Sequence, residues 1–211
     1  IQEYSEITEM LRSIKRIYNS RTVYISGAAA EYEPDGKDAY EKFISKLSSR
    51  LICEGYKIVS GYGLGVGSAV ISGALTEIYY NQKMSLTDQL ILRPFPQGED
   101  AKKLWETYRR DMISYSGISI FLLGNKEENG TIVMSNGMRF EYEISKEQGN
   151  FLIPIGRTGY MSKELWEDLL REKQDEHTFD IYRYDIESLG DSKKTLDEIV
   201  EIVIGIVKKV K

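Results

Sequence analysis

A chain of 211 residues with 41% hydrophobic and 29% charged side chains can bury a sizeable core and has the balance of an ordinary soluble globular protein. Its formal net charge of −5 argues against a nucleic-acid-binding surface, which draws on net basic character. The single cysteine, Cys53, excludes a disulfide framework and fits a reducing cytoplasm, and the single histidine, His177, excludes a histidine-rich metal site and counts against a His-based triad.

No apolar run approaches the roughly 20 residues of a membrane span, and there is no signal peptide. The first residue is Ile1, which suggests a piece of a longer protein. Ile7, Met10, Leu11, Ile14, Ile17 and Tyr18 recur at helical spacing and predict an amphipathic helix over residues 4–19. Residues 1–20 are therefore read as a flanking or connector helix and residues 21–211 as the domain proper. Thr22-Val23-Tyr24-Ile25 predicts a buried strand, ending in a small-residue loop, Ser26-Gly27-Ala28-Ala29-Ala30. Tyr40, Phe43, Ile44, Leu47 and Leu51 form a helical stripe stopped by Gly55, with Cys53 as a small core residue on that helix.

A second strand at Ile58-Val59 leads into Ser60-Gly61-Tyr62-Gly63-Leu64-Gly65-Val66-Gly67-Ser68, and a helix follows to Tyr80. Glycine at every second position leaves bare backbone N–H groups between strand and helix, next to the positive end of the helix dipole. This is an anion site in the making, with phosphate the usual occupant. The same loop also serves if glycine is needed only for tight strand–helix packing. It matches neither G-x-G-x-x-G nor a Walker loop, since Ser68 and Ala69 stand where a lysine would be.

Gln89-Leu90-Ile91-Leu92 predicts a third strand, halted by Arg93-Pro94-Phe95-Pro96-Gln97-Gly98. Residues 99–115 read as a helix with Leu104, Trp105, Tyr108 and Met112 inward. Gly117–Leu123 is the most continuous strand and is expected at the centre of the sheet. Gly124 to Ser135 reads as a polar loop, Met138 to Gln148 as a helix, and Phe151–Ile155 as a fifth strand. A helix near 162–174, a short strand at Asp180-Ile181-Tyr182 and a terminal helix on Leu196, Ile199, Val200, Val203, Ile204 and Val207 complete the chain. Strands alternating with helices mean an α/β fold, a Rossmann-like doubly wound parallel sheet with helices on both faces. In the order 3-2-1-4-5 the switch point lies between the Thr22 and Gly117 strands, where ligands bind at the strands' carboxyl ends.

Arg93, Arg109, Arg110, Lys126 and Glu141 are the charged residues placed to reach such a site. Each also has a plain structural reading, as a solvated helical arginine, a surface lysine or a helix-dipole acid. The ordered run of the Ser-Gly-Ala loop, S-G-Y-G-L-G-V-G, L-R-P-F-P, Y-R-R-D-M-I, F-L-L-G-N-K, S-N-G-M-R-F-E-Y-E and I-P-I-G-R-T-G resembles the SLOG superfamily of nucleotide-sensing and cytokinin-activating proteins. It is most similar to the SLOG sensor domain of NAD-consuming effectors in the Thoeris antiphage system, over roughly residues 20–210. That resemblance implies a domain that binds a cyclic ADP-ribose isomer made by a partner TIR protein and activates a sirtuin-like NADase domain lying before it. It implies a homo-oligomer with no cofactor, metal, nucleic acid or membrane partner, and no catalysis by this domain itself.

By motif, the family's arginine, lysine and glutamate ligand contacts fall on Arg109, Lys126 and Glu141. Ser26, Gly27, Ala28, Gly61, Gly63, Gly65, Gly67, Arg93, Asn136, Gly137 and Met138 complete the implied ligand-binding set. SLOG phosphoribohydrolases carry P-G-G-x-G-T-x-x-E where this chain has Met134-Ser135-Asn136-Gly137-Met138-Arg139-Phe140-Glu141. The paired glycines and threonine are gone and the glutamate remains, which favours binding over hydrolysis. A nucleoside-monophosphate phosphoribohydrolase, with Glu141 and Arg109 as catalytic pair, is the alternative. A single-strand DNA binder of the same superfamily is disfavoured by the net charge.

Overall fold

A computed structural model describes residues 2–80, 89–96, 101–173 and 179–210; His177, Gln97 and Gly98 lie outside the described residues. Five parallel strands form the sheet: β1 (Thr22–Ala28), β2 (Lys57–Ser60), β3 (Leu90–Leu92), β4 (Ile118–Leu123) and β7 (Phe151–Pro154), in the order β3-β2-β1-β4-β7. This is the expected order, with the reversal between β1 and β4. The central strand is β1, not the Gly117 run, although all six residues of β4 are buried.

Ser26-Gly27-Ala28 is not a loop but the end of β1. Ser26 pairs with Phe121, Gly27 with Leu122 and Ala28 with Leu123, because β4 continues alongside and offers its backbone. The polar stretch after β4 is also ordered, as an antiparallel hairpin of β5 (Asn125–Glu128) and β6 (Thr131–Met134). Asn129 and Gly130 form its two-residue loop at φ 52° and 75°, the positive values a type I′ turn needs.

The helices are α1 (Gln2–Asn19), α2 (Lys37–Cys53), α3 (Gly67–Tyr80), α4 (Ala101–Ile113), α5 (Asn136–Glu147), α6 (Tyr160–Glu172), α7 (Asp180–Ser188) and α8 (Leu196–Lys209). Helix α7 replaces the strand expected at Asp180-Ile181-Tyr182. Its buried Ile186 follows the half-buried Tyr182 by four residues, a helical period, and the Trp166 indole caps the Ile186 carbonyl at 2.6 Å. Cys53 ends α2 and is exposed rather than part of the core.

The two sheet faces carry unequal cores. Val23, Ile25, Ile58, Ile118 and Ile120 belong to the large one, with the inward residues of α2, α3, α6 and α8. A small cluster of Tyr24, Val59, Met112, Ile113 and Ile144 lies beneath α4. Helix α1 is amphipathic as expected, yet Ile7, Met10, Leu11, Ile14, Ile17 and Tyr18 are all exposed. At its last residue Asn19 donates to the Ser114 carbonyl at 3.1 Å. Among the described residues, no helix is long and apolar enough to cross a membrane.

The segment after β1 is fastened to the far side of the sheet by charge. Arg157, in the short 3₁₀ turn after β7, forms a two-pronged pair with Asp35 at 2.8 and 3.0 Å and donates to the Lys194 carbonyl. Hydrogen bonding from Arg157 holds the Asp35 carboxyl below its ordinary value of 3.8. A depressed carboxylate stabilises the fold above its unfolded-state value and loses that stabilisation as pH falls through the folded-state value. Thermal melts should therefore show Asp35→Asn destabilised at neutral pH, with its deficit against wild type shrinking below about pH 4. A deficit unchanged at low pH would mean that the pair's charge is irrelevant.

Candidate ligand-binding site

The carboxyl ends of β1 and β2 meet the N-terminus of α5 around a small polar cavity. Ser26, Gly27 and Ala28 supply one wall, Gly61 and Gly63 a second, Ser135, Gly137 and Met138 a third, and Arg109 and Glu141 the fourth. Glu141 lies one turn into α5 and is only 8% exposed. Its carboxylate accepts from the Ser26 hydroxyl at 2.6 Å and from Arg109 Nε at 3.3 Å. Tyr24 forms part of the lining. Burial first, then the negative charge of Glu141, hold the Tyr24 phenol well above its ordinary pKa, so it stays a neutral donor.

Arg109 reaches this point from α4. Its guanidinium carbon lies 5.0 Å from the centre of the Phe95 ring and 5.6 Å from that of Trp105, within cation–π range. The Arg93–Pro96 turn that carries Phe95 is tied to α4: Tyr108 donates to the Pro94 carbonyl at 3.0 Å and the Trp105 indole to the Pro96 carbonyl at 3.2 Å. At the start of α5, Ser135 stands at the N-cap position but its side chain makes no capping hydrogen bond. The hydroxyl and the first turn of α5 thus face the cavity with the positive end of the helix dipole.

The structure brings together Arg109, Glu141, Ser26, Gly27, Ala28, Gly61, Gly63, Gly137 and Met138. Gly65 lies in an adjoining outer cleft. Gly67 is the first residue of α3 and packs on Tyr62. Asn136 opens α5 and is exposed. Arg93 is not in the cavity lining; it pairs with Asp111 at 3.4 Å and donates to the Tyr115 hydroxyl at 2.6 Å. Lys126, on β5, is also absent from that lining, with its ammonium 2.5 Å from Glu128 and its side chain 37% exposed.

Sequence reasoning passed over Tyr24, Phe95, Trp105, Ser135 and Asn125. Asn125 is fully buried and accepts from the Ala30 and Glu31 amides at 2.8 and 2.9 Å, holding the segment after β1 in place. Among the described residues no group of three or more His, Cys, Asp or Glu side chains could hold a metal ion.

Two of the loop glycines serve packing between loops. A Cβ on Gly63 would lie 1.8 Å from the Gly27 carbonyl oxygen, and one on Gly65, at φ 75°, would lie 2.0 Å from that of Ala29. The loops are also bonded, the Ala29 amide donating to the Leu64 carbonyl at 2.8 Å.

The sequence profile of the Sir2- and TIR-associating SLOG family (STALD) matches residues 6–210. Three similar curated proteins all bear the name NAD(+) hydrolase ThsA. The one from Bacillus cereus (strain MSX-D12) is 48% identical over 172 residues, covering 82% of this chain and 36% of that protein. The one from Cytobacillus dafuensis is 43% identical over 215 residues, 98% of this chain and 43% of that protein. The one from Enterococcus faecium is 38% identical over 213 residues, 100% of this chain and 44% of that protein. The chain thus spans about two fifths of the length of the curated relatives it matches.

The glycines separate packing from ligand contact. Gly63→Ala should destabilise the fold by at least about 1–3 kcal/mol, since backbone must move. Gly137→Ala meets only the end of Arg109, at 3.0 Å, and replaces a helical glycine. It should leave stability unchanged or raise it by up to about 1 kcal/mol, while shifting Arg109 and weakening any ligand held there. Urea unfolding of both variants checks the contrast, and a Gly63→Ala protein as stable as wild type contradicts it.

Proposed function

The chain belongs to the Sir2- and TIR-associating SLOG family, and on that premise we propose that it is the ligand-sensing module of a Thoeris antiphage NAD(+) hydrolase. Its ligand is a cyclic ADP-ribose isomer supplied by a TIR-domain protein, and its output is activation of a sirtuin-like NADase portion in the same polypeptide. The name of its relatives and the family's association with Sir2 and TIR domains support the setting. The site supports the ligand class. Arg109 and the first turn of α5 suit phosphate, and Glu141 suits ribose hydroxyls. The module works in the cytoplasm as a homo-oligomer, without cofactor, nucleic acid or membrane. Moving a two-state equilibrium from about 1% to 99% active takes about 5.5 kcal/mol of differential binding, which sites acting together in an oligomer supply more readily than one cleft.

The observation that carries sensing over catalysis is the run before Glu141, where Met134-Ser135-Asn136-Gly137-Met138-Arg139-Phe140 stands in place of the paired glycines and threonine of the phosphoribohydrolases. Glu141 remains, held by the Ser26 hydroxyl and Arg109 where it can orient a sugar. The same buried Arg–Glu pair is the one feature that favours a phosphoribohydrolase. Incubation with AMP decides between the two. The sensor releases no adenine, whereas release that disappears in Glu141→Gln would make the domain an enzyme.

Calorimetry against ADP-ribose and its cyclic isomers tests the sensor directly. Arg109→Ala should weaken binding by about tenfold to a hundredfold. It should also lower the melting temperature, because it strands a buried carboxylate. Adding Glu141→Gln should restore the melting temperature but not binding. Lys126→Ala should weaken binding while leaving the melting temperature in place, since its exposed pair with Glu128 adds little stability. An Arg109→Ala protein with wild-type affinity would refute the site.

A further inference from the structure

The polar cavity is too small for a nucleotide. It measures about 120 Å³, against the roughly 300–1,000 Å³ of ordinary small-molecule sites. It does not end there. Gly61, Gly63, Phe95 and Arg109 also line an outer cleft of about 600 Å³. A ligand with its ribose phosphate in the inner cavity must extend into the outer one.

The outer cleft has a different chemistry. Tyr62 and Leu64 form one side, from the glycine loop, and Pro94, Phe95 and Trp105 the other. Among the described residues no carboxylate lines it. Tyr62 and Leu64 stay 51% and 78% exposed, large apolar groups left in water at the cleft. Tyr62 is held at φ 57°, a left-handed conformation uncommon for a bulky residue. Gly67 makes room for it, since a Cβ there would lie 2.7 Å from the Tyr62 Cα. Opposite, Phe95 and Trp105 meet edge to face at 6.0 Å, and the bond from the Trp105 indole to Pro96 fixes that ring. The planar Arg109 guanidinium lies against both rings.

From this we propose that the outer cleft is a nucleobase-stacking subsite. It takes the flat aromatic base of a nucleotide between Tyr62 and the Phe95–Trp105–Arg109 layer, while the ribose phosphate occupies the inner cavity. Aromatic faces and arginine planes accept any base through stacking, whatever its sequence of donors and acceptors. This rests on the sensor reading and adds to it the residues that select a base-bearing ligand.

The test compares ADP-ribose with ribose 5-phosphate, which lacks a base, by calorimetry and tryptophan fluorescence. Wild type should bind ADP-ribose more tightly. ADP-ribose alone should quench Trp105, and Trp105→Leu should lose that quenching while Trp166 remains as background. Tyr62→Asn, in which asparagine tolerates the left-handed backbone, and Trp105→Leu should each weaken ADP-ribose about fivefold to a hundredfold and leave ribose 5-phosphate unchanged. Equal weakening of both ligands would mean that the rings only position Arg109, and would overturn the subsite. A wild type that binds ribose 5-phosphate but gains nothing from the base overturns the subsite and leaves the sensor reading standing. A wild type that binds neither overturns both. Should Trp105→Leu fail to fold, the half-exposed Tyr62→Asn decides.

Discussion

Burying the carboxylate of Glu141 constrains everything around the site. A carboxyl side chain only 8% exposed needs hydrogen-bond partners, because its lost hydration is otherwise not offset. Its partners come from two other elements, Ser26 from the end of β1 and Arg109 from α4. Helix α4 is also held by its buried Met112 and Ile113 and by the Trp105 and Tyr108 bonds to the Pro94–Pro96 turn. Arg110, the residue after Arg109, donates to Glu147 at 2.6 Å, and Gln148 donates to the Arg110 carbonyl. These outer contacts are exposed and weak by comparison. The buried pair joins these contacts in fixing the cavity side of α4.

The glycine-rich loop has a packing role besides the ligand role its composition suggests. Alternating glycines before a helix invite a phosphate cradle, yet Gly63 and Gly65 exist so that two backbones can touch. The result is a rigid seam between the loop after β2 and the segment after β1, at the point where the sheet reverses direction. At the start of α5, Ser135 leaves the first turn without a side-chain cap, so a second set of backbone N–H groups is open at the cavity. Glycine spacing alone could not separate these roles, because close backbone approach to a ligand and to a neighbouring loop require the same residue.

The sheet order was legible because each strand is a short β-branched or aliphatic run between helical stripes, and right-handed crossovers leave few arrangements. What escaped was set by context. Ser26-Gly27-Ala28 reads as a turn by composition but pairs with β4 because that strand runs beside it. Lys126, Glu127 and Glu128 have the polarity of a loop, and the turn chemistry of Asn129-Gly130 makes them a hairpin. Ile181 and Tyr182 look like a strand until Ile186 shows the helical period. The Arg109–Glu141 contact, 32 residues apart in sequence, came from family resemblance, and no local pattern announces it. Trp105 and Tyr108 were read as core for their helical spacing, but with Phe95 they brace a turn and wall a cleft.

The pair also sets the terms on which any anion can enter. Arg109 is already neutralised by Glu141, so a ligand gains only the difference between its own contact and the one it replaces. A bare phosphate that draws the guanidinium away leaves Glu141 buried with only Ser26 and Tyr24 as donors, and much of the gain is lost. A sugar phosphate avoids that loss. Its phosphate takes the guanidinium while its hydroxyls donate to the carboxylate, so neither charge is stranded. In the proposed sensor, burying an acid beside the arginine would thus favour a phosphorylated sugar over a simple anion, which a cavity lined by arginine alone would not do.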